Sequence, residues 1–238
     1  EYNTSMTRSL VPPVLCTAVI HDNEKHPLCI LYYSEPNRNL CYRMVVRTVD
    51  KRIVQCAIVG DGMVGKSTMA LSFTGQNLPN EYVATVFENY AGRVSVESEQ
   101  YTVSIFDSAG QHDYEGLRAY TYKDSEVYVI CYSVVDRESF QNVREFWVPE
   151  AKSSTKRRKP IILVGTQTDL RNKINCEMDS VVTTEEGNEL GKEIGADSFV
   201  ECSSVLCKGV TEVFQNAVLT ALKYRKKKTN IFHKILGR

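Results

Sequence analysis

The chain has no excess of charge of either sign: 29 basic residues balance 29 acidic ones over 238 residues. Bulk electrostatics therefore single out neither a nucleic acid nor a strongly acidic partner. There is no apolar run near the ~20 residues needed to cross a bilayer as a helix. Nor is there an internal repeat or a charged-then-apolar leader, so a soluble or peripheral protein without a signal peptide is expected. The eight cysteines, at 16, 29, 41, 56, 131, 176, 202 and 207, lack the CxxC spacing of a zinc site and the density of a secreted disulfide framework. Cys56, Cys131 and Cys202 fall in apolar runs, where buried free thiols are expected, and that fits a reducing cytosol. Acidic residues are missing after Glu212, while Lys223, Arg225, Lys226, Lys227, Lys228, Lys234 and Arg238 accumulate there.

What is present begins with Gly60-Asp61-Gly62-Met63-Val64-Gly65-Lys66-Ser67, directly behind the apolar run 53–59. Glycines let a backbone wrap closely around an anion with its N–H groups turned inward, and a following helix adds the positive end of its dipole. In such a loop Lys66 reaches the terminal phosphates and Ser67 places its hydroxyl on Mg²⁺.

Residues 1–50 carry short apolar pieces and no motif, and read as an extension of low order with a strand or two, or as a regulatory arm. From residue 51 apolar runs alternate with helical patterns, which argues for βα units around a mainly parallel sheet. Strands are expected at 52–59, 101–106, 127–133, 160–165 and 198–202, and helices at 66–74, 138–152, 184–194 and 209–224. The alternating runs 90–98 and 100–106 predict one antiparallel edge hairpin. The fold class is α/β: a six-stranded, mostly parallel sheet with one antiparallel edge strand and helices on both faces. Its ligand should lie at the carboxyl ends of the strands.

Further motifs follow in order. The strand 101–106 delivers Asp107, which can hold Mg²⁺ through water, and then Gly110, whose N–H can sense a γ-phosphate; Gln111 has the length to orient an attacking water. The strand 160–165 runs into Thr166, Gln167 and Asp169, and a carboxylate there accepts two hydrogen bonds from guanine that adenine cannot offer. After 198–202 comes a small-residue turn at Ser203 and Ser204, whose backbone can meet the guanine O6. This order selects a GTP/GDP site over an ATP-dependent kinase, for which no acceptor pocket or lid is evident.

On these motifs residues 51–224 resemble the Rho family of small GTPases in the Ras superfamily. The segments 81–90 and 107–114 look like its first and second switches, and 140–150 is similar to another family segment. Phe106 and Gln167 lean toward the cell-division-control branch. The resemblance implies a P-loop small-GTPase fold and a nucleotide site made of residues 60–68, Thr68 included, together with position 78, Tyr82, Thr85, Asp107, Gly110, Thr166, Gln167, Asp169, Ser203 and Ser204. It implies that Thr85 joins Ser67 on Mg²⁺, and that Val86, Phe87, Glu88, Tyr90 and Tyr114 meet effectors. It also implies hydrolysis of GTP by Gln111 and Lys66, with Gly62 bare so that nothing crowds Gln111; Arg93 and Arg118 are poorly placed to act as an internal arginine finger. The expected partners are a guanine-nucleotide exchange factor, a GTPase-activating protein and effectors, on a monomer that binds no nucleic acid.

Departures are as specific. Leu78 stands where the family has an aromatic against the base, which removes a contact of ~0.5–1.5 kcal/mol and predicts fast nucleotide release. Ala84 replaces a proline before Thr85, Ser204 replaces an alanine, and the stretch 171–181 is shorter than the family's helical insert. A fast-exchanging, mostly GTP-loaded binding module is thus the alternative to a regulated hydrolase. The last cysteine is Cys207, so no prenylation is expected. Instead the segment 225–238 reads as a basic amphipathic tail, with Thr229-Asn230 capping a helix that carries Ile231, Phe232, Ile235 and Leu236 on one face. Such a tail suits reversible contact with an anionic membrane from the cytoplasm, and equally a solvated helix end; nuclear import is a third reading.

Overall fold

The structure, a computed structural model, describes residues 15–20, 28–33, 45–48, 50–78, 85, 87–108, 110, 115–171 and 181–235. The chain divides into two units, Glu1–Lys51 and Arg52–Arg238. In the first, strands β1 (Leu15–Ile20), β2 (Leu28–Tyr33) and β3 (Val45–Thr48) form an antiparallel sheet in the order β1-β2-β3. Ile20 pairs with Leu28 across the first connection, and Leu28 with Thr48 across the second. The expectation of a strand or two is thus exceeded, since each apolar piece finds a neighbour to pair with.

The second unit is built on a six-stranded sheet in the order β5-β6-β4-β7-β8-β9. Its members are β4 (Ile53–Gly60), β5 (Phe87–Val96), β6 (Glu99–Ser108), β7 (Val127–Ser133), β8 (Ile161–Thr166) and β9 (Ser198–Glu201). Only β5 and β6 pair antiparallel, through the turn at Glu97 and Ser98, which both have positive φ. All other neighbours are parallel. This is the P-loop small-GTPase fold.

The two-residue period of β4 divides the core. Val54, Cys56 and Ile58 face one side, where Met69 and Ala70 of α1 (Lys66–Thr74) and Val213, Phe214, Ala217 and Val218 of α6 (Val210–Ile235) cover them. Ala57 and Val59 face the other side, toward Tyr122 of α2 (Glu115–Asp124) and Leu190 and Ile194 of α5 (Thr184–Ile194). On that same side the chain runs through α3 (Arg137–Asn142), a π turn (Val143–Trp147) and α4 (Val148–Ser153).

Sequence reasoning expects one uninterrupted helix over 138–152; the π turn inside it is the difference. Val148 N–H bonds the carbonyl of Val143, five residues back. Pro149 follows at once, and a proline ring clashes with the carbonyl four residues before it in a regular helix. A widened turn immediately upstream relieves that clash. Helix α2 escapes sequence reasoning because its ten residues, EGLRAYTYKD, show no apolar stripe. The last helix is longer than expected: α6 passes through Thr229 and Asn230 to Ile235, so these two residues are helix interior rather than the start of a separate helix. Among the described residues no helix is long and apolar enough to cross a membrane.

Candidate nucleotide and cation site

The phosphate loop joins β4 to α1 and is shaped by residues that cannot be exchanged freely. Gly60 has φ +142°, and a Cβ there would lie 2.2 Å from the Cys131 carbonyl oxygen. Met63 (φ 62°) and Gly65 (φ 87°) also turn left-handed, and no side chain caps α1, so its first N–H groups stay open toward the loop's hollow. Lys66 is 6% exposed and donates from Nζ to the carbonyl oxygen of Asp61 at 2.6 Å. Burial pushes the Lys66 ammonium below its ordinary range, and the carboxylates of Asp107 and Asp61 pull it back. A Cβ on Gly62 would meet no described atom within 4 Å.

Asp107 is the electrostatic centre of the site. It is fully buried near the end of β6, opposite Ile58 on one neighbour and Glu88 on the other. Neither of its carboxylate oxygens makes a hydrogen bond of good geometry among the described residues, although the Ser67 hydroxyl lies near enough to act on its charge. Burial pushes its carboxyl up, while the nearby Ser67 hydroxyl and Lys66 ammonium favour the charged form. The Ser67 hydroxyl is engaged with that of Thr85 at 2.8 Å. A bare buried carboxylate beside two clustered hydroxyls is an all-oxygen donor set of the kind Mg²⁺ takes. These residues fit the cation that a nucleotide triphosphate brings. Gly110 presses on the loop from above: a Cβ there would stand 2.5 Å from Asp61 C, Gly60 O and Gly62 N.

The base end forms where β8 and β9 finish. Thr166 Oγ1 lies 2.6 Å from the Val64 carbonyl oxygen and 2.8 Å from that of Tyr132, which ties β8 to the phosphate loop. Gln167 (φ 60°) accepts from Ser133 Oγ at 2.6 Å and donates to the Met63 carbonyl at 3.1 Å. Its amide thus clamps protein to protein. Asp169 Oδ1 accepts from Ser203 Oγ at 2.7 Å, and that same hydroxyl oxygen accepts from Leu206 N–H at 3.1 Å. Ser204 gives its carbonyl to Ser72 Oγ of α1 at 3.1 Å. Leu78, just past the Gly75 cap of α1, is half-buried.

The structure thus brings together the loop 60–68, Thr85, Asp107 and Gly110 at one end and Thr166, Gln167, Asp169, Ser203 and Ser204 at the other. Gln111, Tyr82, Val86 and Tyr114 lie outside the described residues. Of the expected effector surface, Phe87 and Glu88 are exposed. Tyr90 departs from that expectation: it is only 9% exposed, packs in the core, and its hydroxyl donates to Glu88. Arg118 is no finger, being fully buried against Glu150, and Arg93 lies on β5 opposite Thr102. As expected, Cys56, Cys131 and Cys202 are buried free thiols, and burial pushes that of Cys202 up to about 12.

Sequence reasoning missed the partners of Asp61. Its carboxylate accepts from Asn142 Nδ2 at 2.7 Å and from Trp147 Nε1 at 2.6 Å. No local pattern signals bonds to residues 81 and 86 positions away.

A family model described as Ras family matches residues 55–223. That span is most of the chain, and the chain belongs to this family. It is a small GTPase of the switch type, a class that binds guanine nucleotide and Mg²⁺ and works with exchange factors, activating proteins and effectors.

Proposed function

We propose that the chain is a Rho-type switch that binds GTP and GDP with Mg²⁺, hydrolyses GTP, and signals to the actin cytoskeleton, cell polarity or membrane trafficking. The observation that carries the catalytic reading is Asp107, buried and bare between Lys66 and the Ser67–Thr85 hydroxyl pair. Ser67 and Thr85 would hold the cation directly, with Asp107 acting through water. Mg²⁺, when bound, supplies positive charge against the charge developing on the phosphates. Lys66 faces the β- and γ-phosphates while its bond to the Asp61 carbonyl keeps it extended along the loop. The open N–H groups of the loop and of α1 bind the phosphate oxygens. Asp169 selects guanine, and Gln111 orients the attacking water. Loss of the γ-phosphate removes what Thr85 and Gly110 hold, and the switch segments relax.

Leu78 favours a second reading, fast exchange that keeps the protein GTP-loaded. A half-buried aliphatic side chain beside the base offers area without the aromatic edge contact. Nucleotide release and single-turnover hydrolysis, measured on one preparation, separate the two. Release within seconds with negligible hydrolysis selects the second, and slow release with hydrolysis selects the first. GTP-over-ATP competition tests the common ground; equal binding of both removes the guanine reading.

The basic run 223–228 lies on α6, and reversible contact of this helix end with an anionic leaflet from the cytoplasm completes the proposal. Sedimentation with liposomes containing phosphatidylserine should be lost on deleting 225–238; equal sedimentation of both proteins refutes the membrane role.

A further inference from the structure

Trp147 is the only tryptophan of the chain and is fully buried, with its two sides committed to different parts of the site. Its Nε1–H donates to Asp61 Oδ1 at 2.6 Å, while the Arg118 guanidinium lies 5.1 Å from its ring centroid. Arg118, on α2, makes a bidentate pair with Glu150 at 2.8 and 2.7 Å, and Tyr122 of the same helix donates to Glu150 at 2.8 Å. Phe146 meets the indole edge-on at 4.8 Å.

The π turn makes this arrangement reachable. In a regular helix, residues five apart point to different sides; a turn closed five residues back draws them toward one side. Asn142 and Trp147 are so spaced, and each donates to a different oxygen of Asp61. That residue is held twice more: its carbonyl takes Lys66, and Gly110 closes over its backbone. Helix α2 in turn begins at Glu115, just beyond Gln111.

We propose that Trp147 is a positioning residue: its indole ties the carboxylate of Asp61, and with it the phosphate loop, to Arg118 on the helix that follows the Gln111 segment. The phosphate loop and α2 are then set relative to each other through a buried aromatic. A carboxylate at position 61 is required because it accepts from two donors at once. The kinetic consequence rests on the GTP-hydrolysing reading; the mechanical link does not.

Trp147→Phe in the full chain keeps a ring for Arg118 and Phe146 but has no N–H. Amide hydrogen exchange should rise roughly tenfold in both residues 61–66 and α2, with α5 unchanged, as expected on losing one hydrogen bond to a charged group. Single-turnover GTP hydrolysis should fall by about the same factor, with nucleotide release changed less than about threefold. Asn142→Ala, milder to the fold, should give a smaller version of the same pattern. Arg144→Ala, on the exposed side of the π turn, should change neither. In Asp61→Asn the single indole N–H resonance should shift. Exchange that rises only in 143–150, or not at all, overturns the link whatever the hydrolysis shows. Wild-type protein that binds GTP without hydrolysing it overturns the kinetic role and the GTP-hydrolysing reading above, while the exchange pattern still decides the link.

Discussion

At the base end of the site the protein's own side chains answer one another: Ser203 holds Asp169, Gln167 bridges Ser133 and Met63, and Thr166 reaches Val64. At the phosphate end both oxygens of buried Asp107 are without a hydrogen bond of good geometry among the described residues, and none of these residues caps the start of α1 with a side chain. The base end is preorganised, so selectivity there costs little reorganisation. The phosphate end gathers a buried carboxylate whose charge a bound cation would offset, which makes its stability depend on what it binds.

The largest test of this contrast is Asp169→Ala. Removing a carboxylate that accepts two hydrogen bonds should weaken GTP binding on the order of 10³-fold and leave ATP no worse, as read by competition. Asp107→Asn probes the other end, where two opposed effects are expected. Mg²⁺ dependence of nucleotide binding should fall on the order of 10²-fold. The nucleotide-free protein should melt higher at neutral pH, because no charge remains to be buried. The pH profile carries the same sign. A carboxyl whose pKa is raised on folding binds its proton more tightly in the folded chain. Its contribution is therefore full below the unfolded value and is lost as pH rises through the raised folded one. Nucleotide-free wild type should lose stability over that window, and Asp107→Asn should not. A flat wild-type profile would mean the site compensates Asp107 by itself.

Gln167→Ala should cost about 1–3 kcal/mol in chemical denaturation, since it strands the buried Ser133 hydroxyl. It would show whether the base end's rigidity supports the phosphate loop. The smallest effect is expected from Leu78→Phe, which should slow release of a fluorescent GDP analogue several-fold, for ~0.5–1.5 kcal/mol of aromatic contact. An unchanged rate would place the cause of any fast exchange elsewhere.

Much of this was legible beforehand because it is local. The loop 60–67, helix 66–74 and the β5–β6 hairpin each follow from a short-range pattern of glycines, apolar periods or turn residues. Helix α2 was illegible for the opposite reason: nothing in EGLRAYTYKD announces it, and its anchor is the pairing of Arg118 with Glu150, 32 residues on. Thr229-Asn230 misled because polar residues that favour caps also sit inside a helix that is already propagating.

By itself the sequence determined the strand-loop-helix unit, the order of the motifs and the residue types at each strand end, because backbone stereochemistry and hydrophobic period act over a few residues. Only the tertiary structure decided that Asp107 is fully buried, that Gln167 commits its amide to the protein, that Tyr90 turns inward and that Asp61 is gripped by Asn142 and Trp147. Those outcomes depend on which distant groups arrive within about 3 Å of each other, and a hydrogen bond is too short-ranged to be read from separation along the chain.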